Sequence, residues 1–168
     1  MPQYNINGIS IFQNRFNLVN ADEELLIPVL ESILNREERP SCLYICGIYP
    51  RILPKLRRDN PFHLRRAANP YQVLTIINEA SHKLVFIEHD PSLYEDAAEI
   101  AEEIGKRCDE ICPKSTIVYF WPYPDNIIRK HLERSARRIT LVIHRKRKKE
   151  RFRTKRIFPD QTTLDRLW

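Results

Sequence analysis

The sequence predicts an open α/β fold of three layers, in which helices cover both faces of a mainly parallel sheet. Short runs of consecutive apolar residues, typical of strands that are buried on both faces, alternate along the chain with longer segments of helical periodicity. The 168 residues contain no repeat and no linker, and 42% of them are hydrophobic. We therefore expect a single domain over residues 1–168, with its core at about residues 16–143.

The order of the predicted elements follows from the apolar runs and the helix start signals. The first half of the chain gives strands at 9–12 and 16–19, a helix at 22–35, a strand at 42–46, a basic connection at 61–66 and a helix at 70–80. The second half gives a strand at 84–87, a helix from 91 to about 112, a strand at 116–121, a short helix at 125–135 and a strand at 139–143. Asn69 before Pro70, and Asp90 before Pro91, are typical of helix starts, because the first side chain caps and proline fits the first turn.

Basic residues are concentrated in two segments. Residues 144–156 contain nine Lys or Arg and one acid, and residues 51–66 contain six Lys or Arg and one acid. Because the net charge is only +6, the rest of the chain is acidic overall. This asymmetry favours contact with a polyanion, although a solvated basic surface would give the same pattern.

The C-terminal basic segment is predicted to extend the last core strand into a β-hairpin at about 144–158. Phe152 lies among its cations and could stack on an unpaired base, or could anchor the hairpin to the sheet. The predicted nucleic-acid-binding residues are Arg145, Lys146, Arg147, Lys148, Lys149, Arg151, Phe152, Arg153, Lys155, Arg156, Arg57, Arg58, Arg65 and Arg66.

The start of the first helix lacks the residues of a phosphate loop. A short strand at 16–19 runs almost directly into this helix, which is the layout of a nucleotide-binding loop, but the connection contains no glycine and no lysine. Asp22, Glu23 and Glu24 occupy the positive end of the helix dipole, where they would repel a phosphate. Ordinary first-turn acids are the simpler explanation of these residues. In either case we expect no nucleotide cofactor and no ATPase activity.

Four stretches, taken in order, resemble the core of the RecA/RadA-type recombinase ATPases. Residues 43–53 resemble the second core strand of the family and its continuation, and residues 64–74 resemble the segment that leads into the next helix. Leu84–Glu88 lies where the Walker B strand would be, and residues 137–143, followed by the basic segment, resemble the closing strands. The similarity extends over about residues 16–157, which is most of the chain.

The resemblance implies a RecA-like domain that has lost ATPase activity, because the phosphate loop is missing and Glu88 replaces the Walker B aspartate. Such a protein is similar to the recombinase paralogues that act as accessory or mediator subunits in DNA recombination and repair. The implied partners are DNA, single-stranded or bound without sequence preference, and a RecA/RadA-family ATPase or a second copy of the chain. No catalytic, cofactor-binding or metal-binding residue is assigned.

Glu88, His89 and Asp90 support an alternative function, because they leave the end of a predicted strand together. Two carboxylates and a histidine at that place could bind a divalent metal in a hydrolase or nuclease. Strand alternation sends Glu88 and His89 to opposite sides, however, and Asp90 has a role as a helix cap. A third alternative is a pure protein-interaction scaffold that pairs through a sheet edge or through its acidic helix.

The four cysteines form two pairs of the same spacing, Cys42 with Cys46 and Cys108 with Cys112. Four thiolates could bind zinc, but buried reduced thiols are the common case, and we assign no metal.

No apolar run is long enough to span a membrane, and the first residues lack the pattern of a secretion signal. We expect a cytoplasmic protein that does not associate with membranes.

Overall fold

The residues that the structure describes, 3–121, 127–134 and 136–143, form eight β-strands and four α-helices in this computed structural model. The strands are β1 (Gln3–Ile6), β2 (Ile9–Phe12), β3 (Phe16–Asn20), β4 (Cys42–Cys46), β5 (His63–Arg66), β6 (Leu84–Glu88), β7 (Thr116–Phe120) and β8 (Ile139–Ile143). The helices are α1 (Glu23–Leu34), α2 (Pro70–Glu79), α3 (Ile100–Ile111) and α4 (Ile127–Arg134). Two 3₁₀ turns lie at Leu53–Lys55 and Pro91–Tyr94.

Six of the strands form one parallel sheet in the order β5-β4-β6-β7-β3-β8. From β3 the chain crosses to β4 and then β5 on one side, and it returns through β6 and β7 to β8 on the other. The central strands β4, β6 and β7 are buried at every position, as their continuous apolar runs predict. The prediction of an α/β fold with a mainly parallel central sheet is confirmed.

The sheet separates two apolar layers. In β4, the side chains of Cys42, Tyr44 and Cys46 pack on the face that carries α1 and the β1–β2 hairpin. The alternate residues Leu43 and Ile45 pack on the opposite face with α2, α3 and α4. Because neighbouring residues of a strand point to opposite faces, each strand contributes to both layers. The two faces of the sheet therefore carry different helices and different chemistry.

Only the second strand of the amino-terminal hairpin was predicted from the sequence. β1 pairs antiparallel with β2 across a turn at Asn7 and Gly8, both of which have positive φ (52° and 79°). Asn-Gly is the strongest short signal for such a turn, so β1 could have been predicted. The fully buried Asn17 links this hairpin to the sheet. Its side chain accepts from the Phe12 N–H at 2.8 Å and donates to the Phe12 and Ile117 carbonyls.

Two further expectations are corrected by the structure. The basic connection at 61–66 contains the edge strand β5, which is exposed on both faces and therefore has no apolar pattern to reveal it. The helix expected from residue 91 to about 112 begins only at Ile100. Asp90 caps a 3₁₀ turn instead, and bonds of the tighter i→i−3 type continue from there to Ile100. The C-terminal hairpin expected at 144–158 lies outside the described residues.

Helices α3 and α4 pack closely at Gly105. A Cβ atom built on Gly105 would lie 2.1 Å from the carbonyl oxygen of Leu132, a backbone atom that cannot move away without displacing α4. We expect Gly105→Ala to destabilise the protein by about 1–3 kcal/mol, because the clash outweighs the roughly 1 kcal/mol that alanine gains in helix propensity. Urea unfolding measures the difference.

Lys106→Ala is the matched control, because Lys106 lies one residue further along the same helix and is exposed. The control should change the free energy of unfolding by less than about 0.5 kcal/mol. A Gly105→Ala protein as stable as the unmodified chain would show that α3 and α4 do not approach as closely as described.

Candidate functional site

Within the described part of the chain, most of the polar residues singled out from the sequence lie at the carboxyl edge of the parallel sheet. Asn20 ends β3, Arg66 ends β5, and Glu88 ends β6 with His89 directly after it. Open α/β sheets bind ligands beyond the carboxyl ends of their strands, so this edge is the candidate functional site. The side chains at this edge bond mainly to one another and to the neighbouring backbone.

The amino terminus of α1 carries an ion-paired acid where a phosphate loop would bind its anion. Only two residues separate β3 from α1, and Asp22, the N-cap residue, makes no side-chain capping bond. Glu23 pairs with Lys55 at 2.5 Å and with Arg51 at 3.7 Å. The positive end of the helix dipole thus faces a protein carboxylate and its two cations.

The Glu88 carboxylate is buried in a cradle of donors supplied by the loop after β4. The side chain is only 5% exposed. It accepts from the backbone N–H of Arg51, from that of Ile52 at 2.8 Å and from that of Leu53 at 3.4 Å. The Tyr44 hydroxyl donates to the second oxygen at 2.6 Å. Successive N–H groups that converge on an anion form a backbone nest, and here the anion is the protein's own.

His89 lies on the opposite face of the sheet from Glu88. Its Nδ1 atom bonds to the Tyr119 hydroxyl at 2.8 Å, and that hydroxyl bonds to the Tyr94 hydroxyl at 3.0 Å. The His89 ring stacks on the Tyr94 ring, with 5.4 Å between centroids. Burial raises the pKa of both tyrosines, so both hydroxyls stay neutral at physiological pH. This group is a buried hydrogen-bonded cluster within the helix layer.

Asp90 caps the turn that follows β6. One of its carboxylate oxygens accepts from the Ser92 N–H at 3.0 Å and from the Ser92 hydroxyl at 2.7 Å. The other oxygen lies against Gly47, where a Cβ atom would approach it to 2.1 Å. Asp90, Glu88 and His89 therefore do not converge. Among the residues that the structure describes, no group of three or more His, Cys, Asp or Glu could hold a metal ion.

The two cysteine pairs lie on opposite faces of the sheet. Cys42 and Cys46 belong to the α1 layer, and Cys108 and Cys112 belong to the layer of α2, α3 and α4. All four are buried and free. Because the sheet separates the pairs, the four sulfur atoms cannot bind one zinc ion. Burial raises the pKa of Cys42 to about 12 and that of Cys46 to about 11.

The structure does not bring the four described basic candidates together. Arg65 and Arg66 end β5 at the carboxyl edge, where Arg65 pairs with Glu79 at 3.3 Å. The guanidinium of Arg66 donates to the Ile48 carbonyl at 3.3 Å. Arg57 instead pairs with Glu31, at 3.8 Å, more than two turns along α1 from the carboxyl edge. Arg58 is exposed next to Arg57. The other ten predicted nucleic-acid-binding residues, at 145–149, 151–153, 155 and 156, lie outside the described residues.

Two exposed tyrosines at the same edge were not singled out from the sequence. Tyr49 follows β4 and is 82% exposed, and Tyr71 opens α2 just after β5 and is 57% exposed. Ile48, next to Tyr49, is 55% exposed. The sequence does contain a signal for these tyrosines, because both lie outside the apolar runs. Tyr49 follows the buried strand β4, and Tyr71 follows the basic strand β5. Exposed aromatic side chains next to arginine are typical of surfaces that bind unpaired bases or other proteins.

The comparisons with known proteins assign no activity to this site. No protein-family model matches the chain. The chain is similar to a protein of Archaeoglobus fulgidus described as an uncharacterized protein, with 31% identity over 113 residues. The match includes 67% of this chain and 57% of the archaeal protein, so the chain spans little more than half the length of that relative. Within the described residues, no helix has the length and apolarity needed to cross a membrane.

Replacing Glu88 with glutamine should destabilise the fold. The amide keeps one acceptor oxygen but presents an NH₂ group to donors that now have no partner. Hydrogen bonds to a charged group contribute about 1.5–3 kcal/mol each, so we expect a loss of about 2–3 kcal/mol in urea unfolding. Tyr44→Phe, which removes a single donor, should cost about 1 kcal/mol.

Addition of Mg²⁺ or Mn²⁺ should leave the melting temperature of both the unmodified and the Glu88→Gln protein unchanged. If a divalent cation instead stabilised the unmodified chain, and this effect disappeared in Glu88→Gln, Glu88 would be a metal ligand and the hydrolase alternative would gain support.

The buried thiols should react only when the protein unfolds. At pH 8 the folded chain should label with a disulfide reagent far more slowly than free cysteine, whereas four thiols should label in denaturant. Because the thiol pKa values are higher in the folded than in the unfolded protein, the protonated thiols contribute to the stability of the fold. This contribution is complete below the unfolded pKa of about 8.5, and it is lost as pH rises towards about 11 for Cys46 and about 12 for Cys42. Rapid labelling of the native protein at pH 8 would contradict this description of the thiols.

Proposed function

We propose that this protein is a non-catalytic nucleic-acid-binding protein that works without ATP, as an accessory subunit of the RecA/RadA-paralogue type in DNA recombination or repair. The observation that supports this most directly is the composition of the carboxyl edge at β4 and β5. Two largely exposed tyrosines, Tyr49 and Tyr71, lie there together with Arg65 and Arg66. The choice of family rests on the resemblance of the core segments to the RecA/RadA-type recombinases, in their order along the chain and in their residue patterns.

The carboxylates of this edge support a binding role over a catalytic one. Glu23 is neutralised by Arg51 and Lys55, and Glu88 bonds to backbone N–H groups. A catalytic carboxylate must reach a substrate, a metal or a water molecule. Glu88 already uses both oxygens within the fold, and His89 faces the other side of the sheet. The hydrolase alternative thus has less support from this geometry than the binding role.

The arginines of the edge can exchange their present partners for phosphates. The pair between Arg65 and Glu79 is exposed on both sides, and such surface pairs contribute at most about 1 kcal/mol. A nucleic-acid backbone that passes Arg65 and Arg66 would leave its bases free to stack on Tyr49 or Tyr71. The basic segment at 144–156 would supply further phosphate contacts, because it carries nine of the cations of the chain.

A protein partner is the second candidate, and one observation favours it. The edge strand β5 is exposed on both faces, with Leu64 41% exposed. An open strand edge is a ready template for pairing with another chain. A RecA/RadA-family ATPase or a second copy of this chain could pair with this strand edge.

The compartment that we propose for this protein is the cytoplasm. Its free cysteines fit the reducing conditions there.

Binding to single-stranded and duplex DNA, and to RNA, should weaken steeply with salt. Each phosphate neutralised on duplex DNA contributes about 0.9 to the slope of log affinity against log salt. If half of the cations at 144–156 touch phosphates, the slope should be about −4. The slope should become flatter when five cations are exchanged for glutamine, namely Arg145, Lys146, Arg147, Lys148 and Lys149. Exchange of Arg65 and Arg66 for glutamine should flatten the slope less strongly. Fluorescence anisotropy over a salt series measures the slope.

The matched control exchanges Lys106 and Lys114, two exposed lysines away from the carboxyl edge, for glutamine and should leave the slope unchanged. Tyr49→Ala and Tyr71→Ala should weaken single-strand binding by about 1–3 kcal/mol per stacked base and leave duplex binding nearly unchanged. Phe152→Ala should do the same if its ring stacks. A chain that binds no nucleic acid even at low salt would remove the proposal and leave the partner-binding scaffold.

A further inference from the structure

Two histidines meet at the amino end of the sheet, on the opposite side from the carboxyl edge. His63 opens the edge strand β5, and His82 lies in the connection between α2 and β6. The Nδ1 atom of His63 and the Nε2 atom of His82 are 2.8 Å apart. Their rings stand almost perpendicular, at 89°, with 5.0 Å between centroids. Two ring nitrogens at this distance cannot both carry a proton towards each other, so at least one lone pair is directed at the contact.

The neutral form of this pair is the form that binds metals. Neutral imidazole is the commonest metal ligand in proteins. Imidazole nitrogens suit Cu²⁺, Ni²⁺ and Zn²⁺, whereas Mg²⁺ and Ca²⁺ prefer oxygen ligands. The chemistry of the pair therefore selects late first-row divalent cations.

The two nitrogens lie close enough together to bind one ion. Two nitrogens that each lie about 2.0 Å from one ion are about 2.8 Å apart in cis positions of a square plane and about 3.3 Å apart in a tetrahedron. The observed 2.8 Å is the distance of a direct hydrogen bond between the two rings, so a small movement of one ring brings both nitrogens within reach of one ion in either geometry. A rotation of the exposed His63 ring about χ2 turns its lone pair from the His82 nitrogen towards a shared ion in the solvent.

The backbone holds both histidines in place. His63 pairs with Leu43 in the parallel ladder between β4 and β5. The His82 carbonyl accepts from the Ser115 hydroxyl at 2.6 Å, and the next residue, Lys83, donates its N–H to the Ser41 hydroxyl at 3.0 Å. A pair of ligands on fixed backbone loses little entropy on binding, which favours chelation.

We propose that His63 and His82 form a two-histidine site for a late first-row divalent cation, with water as the remaining ligands and with Cu²⁺ as the ion that such nitrogen ligands bind most tightly. The bound ion would cross-link the edge strand β5 to the connection between α2 and β6. Edge strands are the least supported strands of a sheet, and β5 has only β4 as a neighbour in the described residues. The site shares β5 with Arg65 and Arg66, but none of the residues proposed to contact nucleic acid is one of its ligands.

The test uses the full-length chain without a histidine tag, and Cu²⁺ itself as the probe. Calorimetry at pH 7.5 should show one saturable site per chain, and the electron paramagnetic resonance spectrum should show nitrogen couplings from two imidazoles. Addition of Cu²⁺ should also raise the melting temperature, because the ion binds the folded state. His63→Gln and His82→Gln should each weaken the affinity by about tenfold or more, since each removes one of two ligands directly.

His131→Gln is the matched control, because His131 lies on α4, in a different element, and should keep the full affinity. Mg²⁺ should have no effect on the melting temperature. The proposal is wrong if Cu²⁺ binds the unmodified chain no more tightly than it binds the double variant of His63 and His82. It is also wrong if each single variant retains the affinity and the two-nitrogen spectrum, because the ion would then have other ligands.

Discussion

The contact between the Glu88 carboxylate and the loop after β4 determines the shape of the carboxyl edge. This loop leaves the sheet, and the three consecutive N–H groups of residues 51–53 all donate to that carboxylate. Unpaired buried backbone donors would each cost about 1–3 kcal/mol. One carboxylate at the end of the neighbouring strand satisfies all three and also accepts from Tyr44. The exposed Tyr49 and the cations that pair with Glu23 are held in place because this loop is held.

The same contact explains why the edge resembles a catalytic site in sequence but not in geometry. A glutamate at the end of a central parallel strand is where an enzyme of this architecture places a metal ligand. In this chain the glutamate has an internal task, which only the loop conformation reveals. Asp90 and His89 likewise have local partners, a capped turn and two tyrosines. A sequence motif of three polar residues therefore had three separate structural explanations.

Local patterns predicted the buried parts of this fold well and the exposed parts poorly. The predicted runs at 42–46, 84–87 and 139–143 are strands because a parallel strand buried on both faces needs mainly apolar residues. β5 escaped prediction because an exposed edge strand carries no such constraint. Among the site residues, the alternation of Glu88 and His89 was predictable from strand geometry. The Glu88 cradle and the His63–His82 pair were not, because each joins residues 19 or more positions apart.

The position of β3 has a consequence for synthesis of the chain. β3 is the first strand of the sheet to leave the ribosome, yet its two neighbours, β7 and β8, are the last. At about 5–20 residues per second, the 100 positions between Asn17 and its carbonyl partner Ile117 take roughly 5–20 s to translate. During that interval the β3 segment has no sheet partner for either edge and exposes three apolar residues, Phe16, Leu18 and Val19, a combination that favours binding to chaperones or pairing with other nascent chains.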